Sequence, residues 1–218
     1  MPDPLTIGDP PAPSSEVPSL EASPRKAPPG EPPVLPLPRI AARPVPPERS
    51  DRVLEIIAAG RVLLAAQGAD ALTMRRLGDE VGIRAASLYK HLPGKPALEA
   101  AIVDAGLFEM GDAAHAAVDA ASGSDVVAVL LDTYRRIALA NASLYRLATS
   151  GQIDRGLLTP GLDQWSGEPF YRATGDPHVA QALFAAAHGA VILEMDRAYS
   201  DTSDLDATWR ALAAAFTH

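Results

Sequence analysis

The sequence predicts an all-α protein: an N-terminal three-helix helix-turn-helix domain followed by a longer helical domain. Two observations carry the prediction. From Asp104 onward every long apolar pattern has the three- and four-residue spacing of helices, and no strand-like alternation competes with it. Ahead of it, residues 72–92, LTMRRLGDEVGIRAASLYKHL, hold two short helical stretches joined by a glycine turn. Length and composition bound the rest. A chain of 218 residues suffices for one or two small domains with a real core, and the absence of cysteine excludes a disulfide scaffold and cysteine-based metal or redox chemistry.

In chain order, residues 1–47 contain sixteen of the 21 prolines and almost no aromatic or helical pattern. Such a segment cannot bury enough surface to offset the entropy of ordering it, so it reads as a disordered tail. Its Pro-x-x-Pro spacings, as from Pro29 to Pro32, arise by chance in any proline-rich stretch, and a plain solvated tail is the simpler reading. A first helix is expected over 50–67, with Val53, Ile56, Ile57, Gly60, Leu63 and Leu64 on one stripe and Gly68 as its stop. Thr73 can cap a second helix that begins at Met74, because its hydroxyl can accept an unpaired N–H of the first turn. Met74, Leu77 and Val81 form the inner face of that helix, and Gly82 ends it. A short third helix follows, with Leu88 and Leu92 inside and Ser87, Tyr89, Lys90 and His91 outside. Pro96 opens a fourth, with Leu98, Ile102 and Val103 turned inward. Helices are then expected over 96–121, 125–140, 142–150, 160–173, 177–199 and 205–217.

The segment around the glycine turn resembles the DNA-binding domain of TetR-family transcriptional regulators. The resemblance rests on Gly68, Thr73, Gly82, Ile83, Leu88, Tyr89, His91 and Lys95, eight positions within about thirty residues. Two positions depart from the pattern. Arg84 replaces the small hydroxyl residue usual at the start of the recognition helix and so removes a side-chain cap. Gly78 replaces an alanine, which costs roughly 1 kcal/mol of helix propensity but still lets the two helices approach closely.

The resemblance implies a double-stranded DNA operator as partner, with contacts from the third helix and from Thr73 and Arg75. Tyr89 and His91 are expected to donate to phosphate, which positions the helix without reading sequence. Arg84 and Lys90 can reach guanine edges, and Ser87 or Ala85 a base edge or a thymine methyl. Tyr89 can also pack against the second helix with only its hydroxyl exposed. Lys95 stands at a helix N-terminus, where its charge opposes the helix dipole; a DNA phosphate would resolve that conflict, and a solvated loop lysine is the alternative. Arg39, Arg43, Arg49 and Arg52 precede or open the first helix and offer an arm for the DNA backbone or minor groove. The overall charge of −8 looks wrong for such a partner, but it is unevenly spread: −1 over 1–47, +1 over 48–103 and −8 over 104–218, where seven basic side chains face fifteen acidic ones. Only the middle segment is suited to meet phosphate.

The expected organisation is therefore a tail over 1–47, a DNA-binding domain over 48–95, and an effector-binding and dimerisation domain over 96–218. In the family the last two helices pair with those of a second subunit, so a homodimer is implied, which would set two recognition helices roughly 34–36 Å apart along one DNA face. The stretches NASLYRLATSG and AAHGAVILEM also resemble a C-terminal domain type named for a Trp-His-Gly motif, of which His188 and Gly189 are present. That resemblance implies a ligand-sensing domain of unknown effector, and the residues that could close its pocket make a mostly apolar small molecule the expected partner. Candidate ligand-binding residues are Tyr134, Tyr145, Trp165, Tyr171, Phe184, His188, Val191 and Met195, although aromatics at helical spacing more often simply pack.

No cofactor is expected. Asp112, His115 and Asp119 lie on one helix face at metal-ligand spacing, but an acidic solvated surface explains them better, and no phosphate loop, His-Glu-x-x-His signature or serine elbow is present. The sequence also lacks an unbroken run of eighteen apolar residues and a secretory-type leader, so a cytoplasmic, non-membrane protein is expected. Two alternatives stay open: a helical dimerisation module whose helix-turn-helix no longer reads DNA, and a helical metal-dependent enzyme.

Overall fold

The computed structural model describes residues 42–217, and all regular structure among them is helical. The all-α prediction holds. The order is α1 (Asp51–Gln67), α2 (Met74–Glu80), α3 (Ala85–Leu88), α4 (Lys95–Ala120), α5 (Val126–Ala140), α6 (Ala142–Thr149), α7 (Leu162–Thr174), α8 (Pro177–Met195) and α9 (Leu205–Ala215), with short 3-10 turns before α2, α5 and α7. Most of the expected tail lies outside the described residues. Its last residues, 42–47, are not helical.

The head is built as the apolar spacing dictates. Ser50 caps α1 by accepting from the amide of Val53, and Ile56, Ile57, Gly60, Leu63 and Leu64 are buried along its inner stripe. Thr73 caps α2 by accepting from the amide of Arg76 at 3.3 Å. Arg52 donates to the carbonyl of Val81 at 3.2 Å, placing a cation at the negative end of α2, and Arg76 bonds Gln67, so α1 grips both ends of α2. Leu72, Leu77, Leu88 and Leu98 are fully buried and close the core shared by the first four helices. That core does not stop at the expected domain boundary: Leu147, Ile153 and Leu158 pack into it.

Helix ends differ from expectation where the stop has no sequence signal. The third helix is a single turn, and the chain from Tyr89 to Pro93 forms turns instead of continuing to Leu92. α8 ends at Met195 because Arg197 takes a left-handed φ of 53° and the amide of Ala198 donates back to Leu193. An arginine there announces nothing, so the expected run to 199 is too long.

In the body, α4 packs against α7 and α5, and α7 against α8. Trp165 presses on α4 where it has Gly111: a Cβ there would stand 2.4 Å from the indole ring. α9 is tied down by Arg135, which reaches Glu194 and Asp206 and lies 5.5 Å from the Trp209 ring, while the Trp209 indole N–H donates to Glu194 at 2.9 Å.

Candidate functional site

Two regions combine exposure with chemistry: the outer side of the helix-turn-helix and a cavity in the body.

Around α3 the structure presents Arg84, Tyr89, Lys90 and His91 as exposed side chains, with Ala85 and Ser87 half-buried between them. Tyr89 is 55% exposed, so the expectation that its ring packs against α2 with only the hydroxyl showing is corrected. A Cβ at Gly94 would stand 4.0 Å from its ring edge. Thr73 and Arg75 are exposed at the start of α2. Among the described residues, Arg75, Arg84 and Lys90 have no hydrogen-bond or ion-pair partner, whereas Arg135, Arg146, Arg155, Arg172 and Arg210 in the body are all paired to carboxylates. Positive charge is left unneutralised at these three side chains, where the two short helices meet solvent, and in the body at the exposed Arg136 and Arg197.

Lys95 differs. It lies 3.4 Å from both the carbonyl of Ala69 and the carboxylate of Glu99, so its conflict with the dipole of α4 is relieved within the fold. The arginine arm is also placed differently from the expectation, except for Arg39, which lies outside the described residues. Arg43 pairs through two bonds with Asp112 on α4 and sits 4.9 Å from the Phe108 ring. Arg49 bonds Asp104 at 3.1 Å, and Arg52 bonds Glu55 and Val81. These three fasten the head to itself and to α4.

The cavity, about 500 Å³, is enclosed by α4, α5, α6, α7 and the first half of α8. Val103, Leu107, Met110, Ile137, Leu144, Phe170 and Phe184 give it an apolar interior, and Asn141, Thr149, Arg155, Asp163, Ser166 and Gln181 give it polar points. Of the candidate ligand residues, Tyr134, Tyr145 and Phe184 line it. His188 stands one step behind, its Nδ1 2.6 Å from the Tyr145 hydroxyl, which in turn bonds that of Tyr134. Burial pushes the Tyr145 phenol up to about 12 and moves Tyr134 up as well, so both stay protonated at neutral pH. Trp165, Tyr171, Val191 and Met195 are not in the lining. Trp165 packs with Phe108 and Leu162, and the other three with the α5–α8–α9 core. Phe170, missed by the sequence reading, meets Tyr134 and Phe184 edge-on at 5.4 and 5.5 Å.

Asp112, His115 and Asp119, expected as a solvated acidic face rather than as metal ligands, are engaged within the fold. Asp112 is held by Arg43 and Asp119 by Arg172. Pro169 has no N–H to offer the carbonyl of Trp165, four residues earlier in α7, and His115 Nε2 donates to that carbonyl at 3.0 Å. Its Nδ1 then faces Arg172 at 3.3 Å as an acceptor. The imidazole repairs a helix. Among the described residues no three His, Asp or Glu side chains gather into a metal-holding group.

With this geometry in view, comparison with known proteins gives a specific answer for the head. Residues 56–102 match the tetR family of bacterial regulatory proteins. The tetR match thus covers α2, α3 and the adjoining parts of α1 and α4. The solved structures it resembles share the whole fold. One, of unknown function from Rhodococcus sp. RHA1, is 23% identical with a TM-score of 0.66 and covers 78% of this chain and 96% of its own. A TetR/AcrR-family transcriptional regulator from Thermobifida fusca is 20% identical with a TM-score of 0.55, covering 77% and 97%. The fatty acid degradation regulator FadR from Bacillus halodurans is 13% identical with a TM-score of 0.54, covering 78% and 97%. No curated protein matches the chain. Residues 56–102 thus match the tetR family, and the chain shares the fold of these solved structures.

Proposed function

We propose that the protein is a homodimeric, operator-binding transcriptional regulator of the cytoplasm, a repressor released by a small molecule that enters the cavity. The observation that carries this reading is the unpaired set Arg75, Arg84 and Lys90 on a tetR-matched helix-turn-helix, set before a body whose segment 104–218 has a net charge of −8. The acidic body repels phosphate and the free cations attract it, which orients the head toward the duplex. Thr73, whose hydroxyl oxygen already accepts in the cap, keeps its own proton to donate to phosphate. Residues 48–95 form the DNA-binding unit in this reading, 1–47 a tail, and 96–218 the effector-binding and dimerisation unit. The Trp-His-Gly-type assignment of the body rests on His188 and Gly189 alone.

Release follows from α4, which carries Leu98 and Ile102 in the head core and Val103, Leu107 and Met110 in the cavity wall. A ligand that binds one tilt of α4 more tightly than another shifts the spacing of the recognition helices, and a tenfold loss of DNA affinity needs about 1.4 kcal/mol of such preference.

Selection from random duplexes tests the reading. The protein is expected to enrich one two-fold symmetric site and to lose affinity steeply with salt. Arg84→Ala is expected to relax the preference at one base position by about 1–3 kcal/mol, whereas Tyr89→Ala weakens all duplexes alike. Absence of any duplex binding in dilute salt would support the competing reading, a dimerisation module that no longer reads DNA.

A further inference from the structure

We propose that the ligand of this cavity is an apolar amine whose ammonium group competes with Arg61 for the carboxylate of Glu109. The proposal rests on the effector reading above and names both the ligand class and the contact through which it acts.

Three ionisable side chains of fixed charge line the cavity: Glu109, Arg155 and Asp163. Arg155 and Asp163 pair with each other, and Arg155 also donates to the carbonyl of Ala148 at 2.9 Å, so their charges cancel within the wall. Glu109 is left over. Its partner is Arg61, which belongs to α1 and stands outside the lining. The guanidinium grips the carboxylate through two parallel bonds, the second at 2.7 Å. The wall of the chamber thus carries one negative charge whose partner, Arg61, comes from α1 outside the lining.

This arrangement discriminates among ligands. A carboxylate entering the chamber would face Glu109 as a like charge, and the hydroxyls of Tyr134 and Tyr145 are already engaged with each other and with His188. A neutral ligand would fill the apolar volume and leave the Arg61 clasp closed. An organic ammonium would find the Glu109 carboxylate at an otherwise apolar wall. It would also have to displace Arg61. That displacement gives the signal, because Glu109 is half exposed and its pair with Arg61 is the only carboxylate bridge from the middle of α1 to α4 among the described residues. Ligand and clasp are mutually exclusive, so each weakens the other by the same factor.

The test uses three probes of one chain length, decylamine, decanol and decanoate, titrated calorimetrically at neutral pH into the full-length protein. Decylammonium is expected to bind at least about tenfold more tightly than decanol. Glu109→Gln should bring that ratio to about one. Arg61→Gln should do the opposite and raise amine affinity several-fold, since the internal competitor is gone; a merely structural role for Arg61 would not strengthen binding. Gly167→Phe tests the location, because Gly167 lines the cavity and a Cβ there meets nothing within 4 Å, so added bulk at this position should weaken binding of all three probes. Equal binding of amine and alcohol, tightest binding of decanoate, or a preference surviving Glu109→Gln overturns the amine proposal and leaves the effector cavity standing. If no probe binds while duplex binding is normal, the cavity reading itself fails and the proposal falls with it.

Discussion

Gly78 shows how tightly the helix-turn-helix is drawn. A Cβ at this position would stand 2.6 Å from the carbonyl oxygen of Ile83 and 3.2 Å from the amide of Ala85, both backbone atoms. Neither can move without opening the turn, which is itself closed by the Ile83 amide donating to the carbonyl of Gly78 at 2.9 Å. Alanine would gain roughly 1 kcal/mol of helix propensity and lose about 1–3 kcal/mol to overpacking. Gly78→Ala is therefore expected to lower the unfolding free energy by about 1 kcal/mol in urea titration and to weaken duplex binding; a variant more stable than the parent would show that the turn yields. Sequence reasoning saw a small residue easing helix approach, but not that glycine alone fits, because that depends on the distance to a carbonyl five residues away. The same limit hid His115. Its role depends on a proline 54 positions later that strips one carbonyl of its helical partner, a pairing no spacing rule connects.

At the scale of elements, α4 joins the head to the cavity, and Asp104 is its most connected side chain. The carboxylate is buried, accepts from Arg49 at 3.1 Å, and accepts from the amide and hydroxyl of Thr159 at 2.8 and 3.0 Å. It thereby fastens the lead into α1 and the loop before α7 to one turn of α4. Removing it strands a largely buried guanidinium and two donors, so Asp104→Ala is expected to cost about 3–5 kcal/mol, read as a lower denaturant midpoint. A loss below 1 kcal/mol would mean that water replaces the carboxylate freely. The elements themselves were legible: α1, α2 and α4 begin within one residue of where their caps and Pro96 place them, since those signals are local. The arginines were not. Arg43 and Arg49 looked like an arm for DNA because sequence counts charges without their partners, and Asp104 and Asp112 lie 55 and 69 residues further on.

For the whole molecule, α8 poses the decisive question of assembly. By length and composition it is apolar enough to cross a membrane, yet only 22% of that span is buried in the protomer. Ala182, Ala185 and Leu193 are exposed on it, Gly189 lies on the same stripe, and a Cβ at Gly189 would meet nothing within 4 Å. On α9, Ala211, Ala214 and Ala215 are exposed as well. A face of such small residues lets another helix approach closely, and a two-fold axis through it makes the patch its own partner. The Glu194 carboxylate beside the stripe is already neutralised by Arg135, so a second copy would meet little unpaired charge there. A Leu193→Glu change should cost the protomer little, because the leucine is 44% exposed. In a dimer built on this face it sets two carboxylates near the axis, where like charges repel and lose solvation. Light scattering behind a sizing column is expected to show a dimer for the parent chain and a monomer for the variant. Operator affinity should fall at least about a hundredfold with it, since one short recognition helix then binds without its twin. A variant that stays dimeric and binds DNA as before would move the two-fold interface off α8.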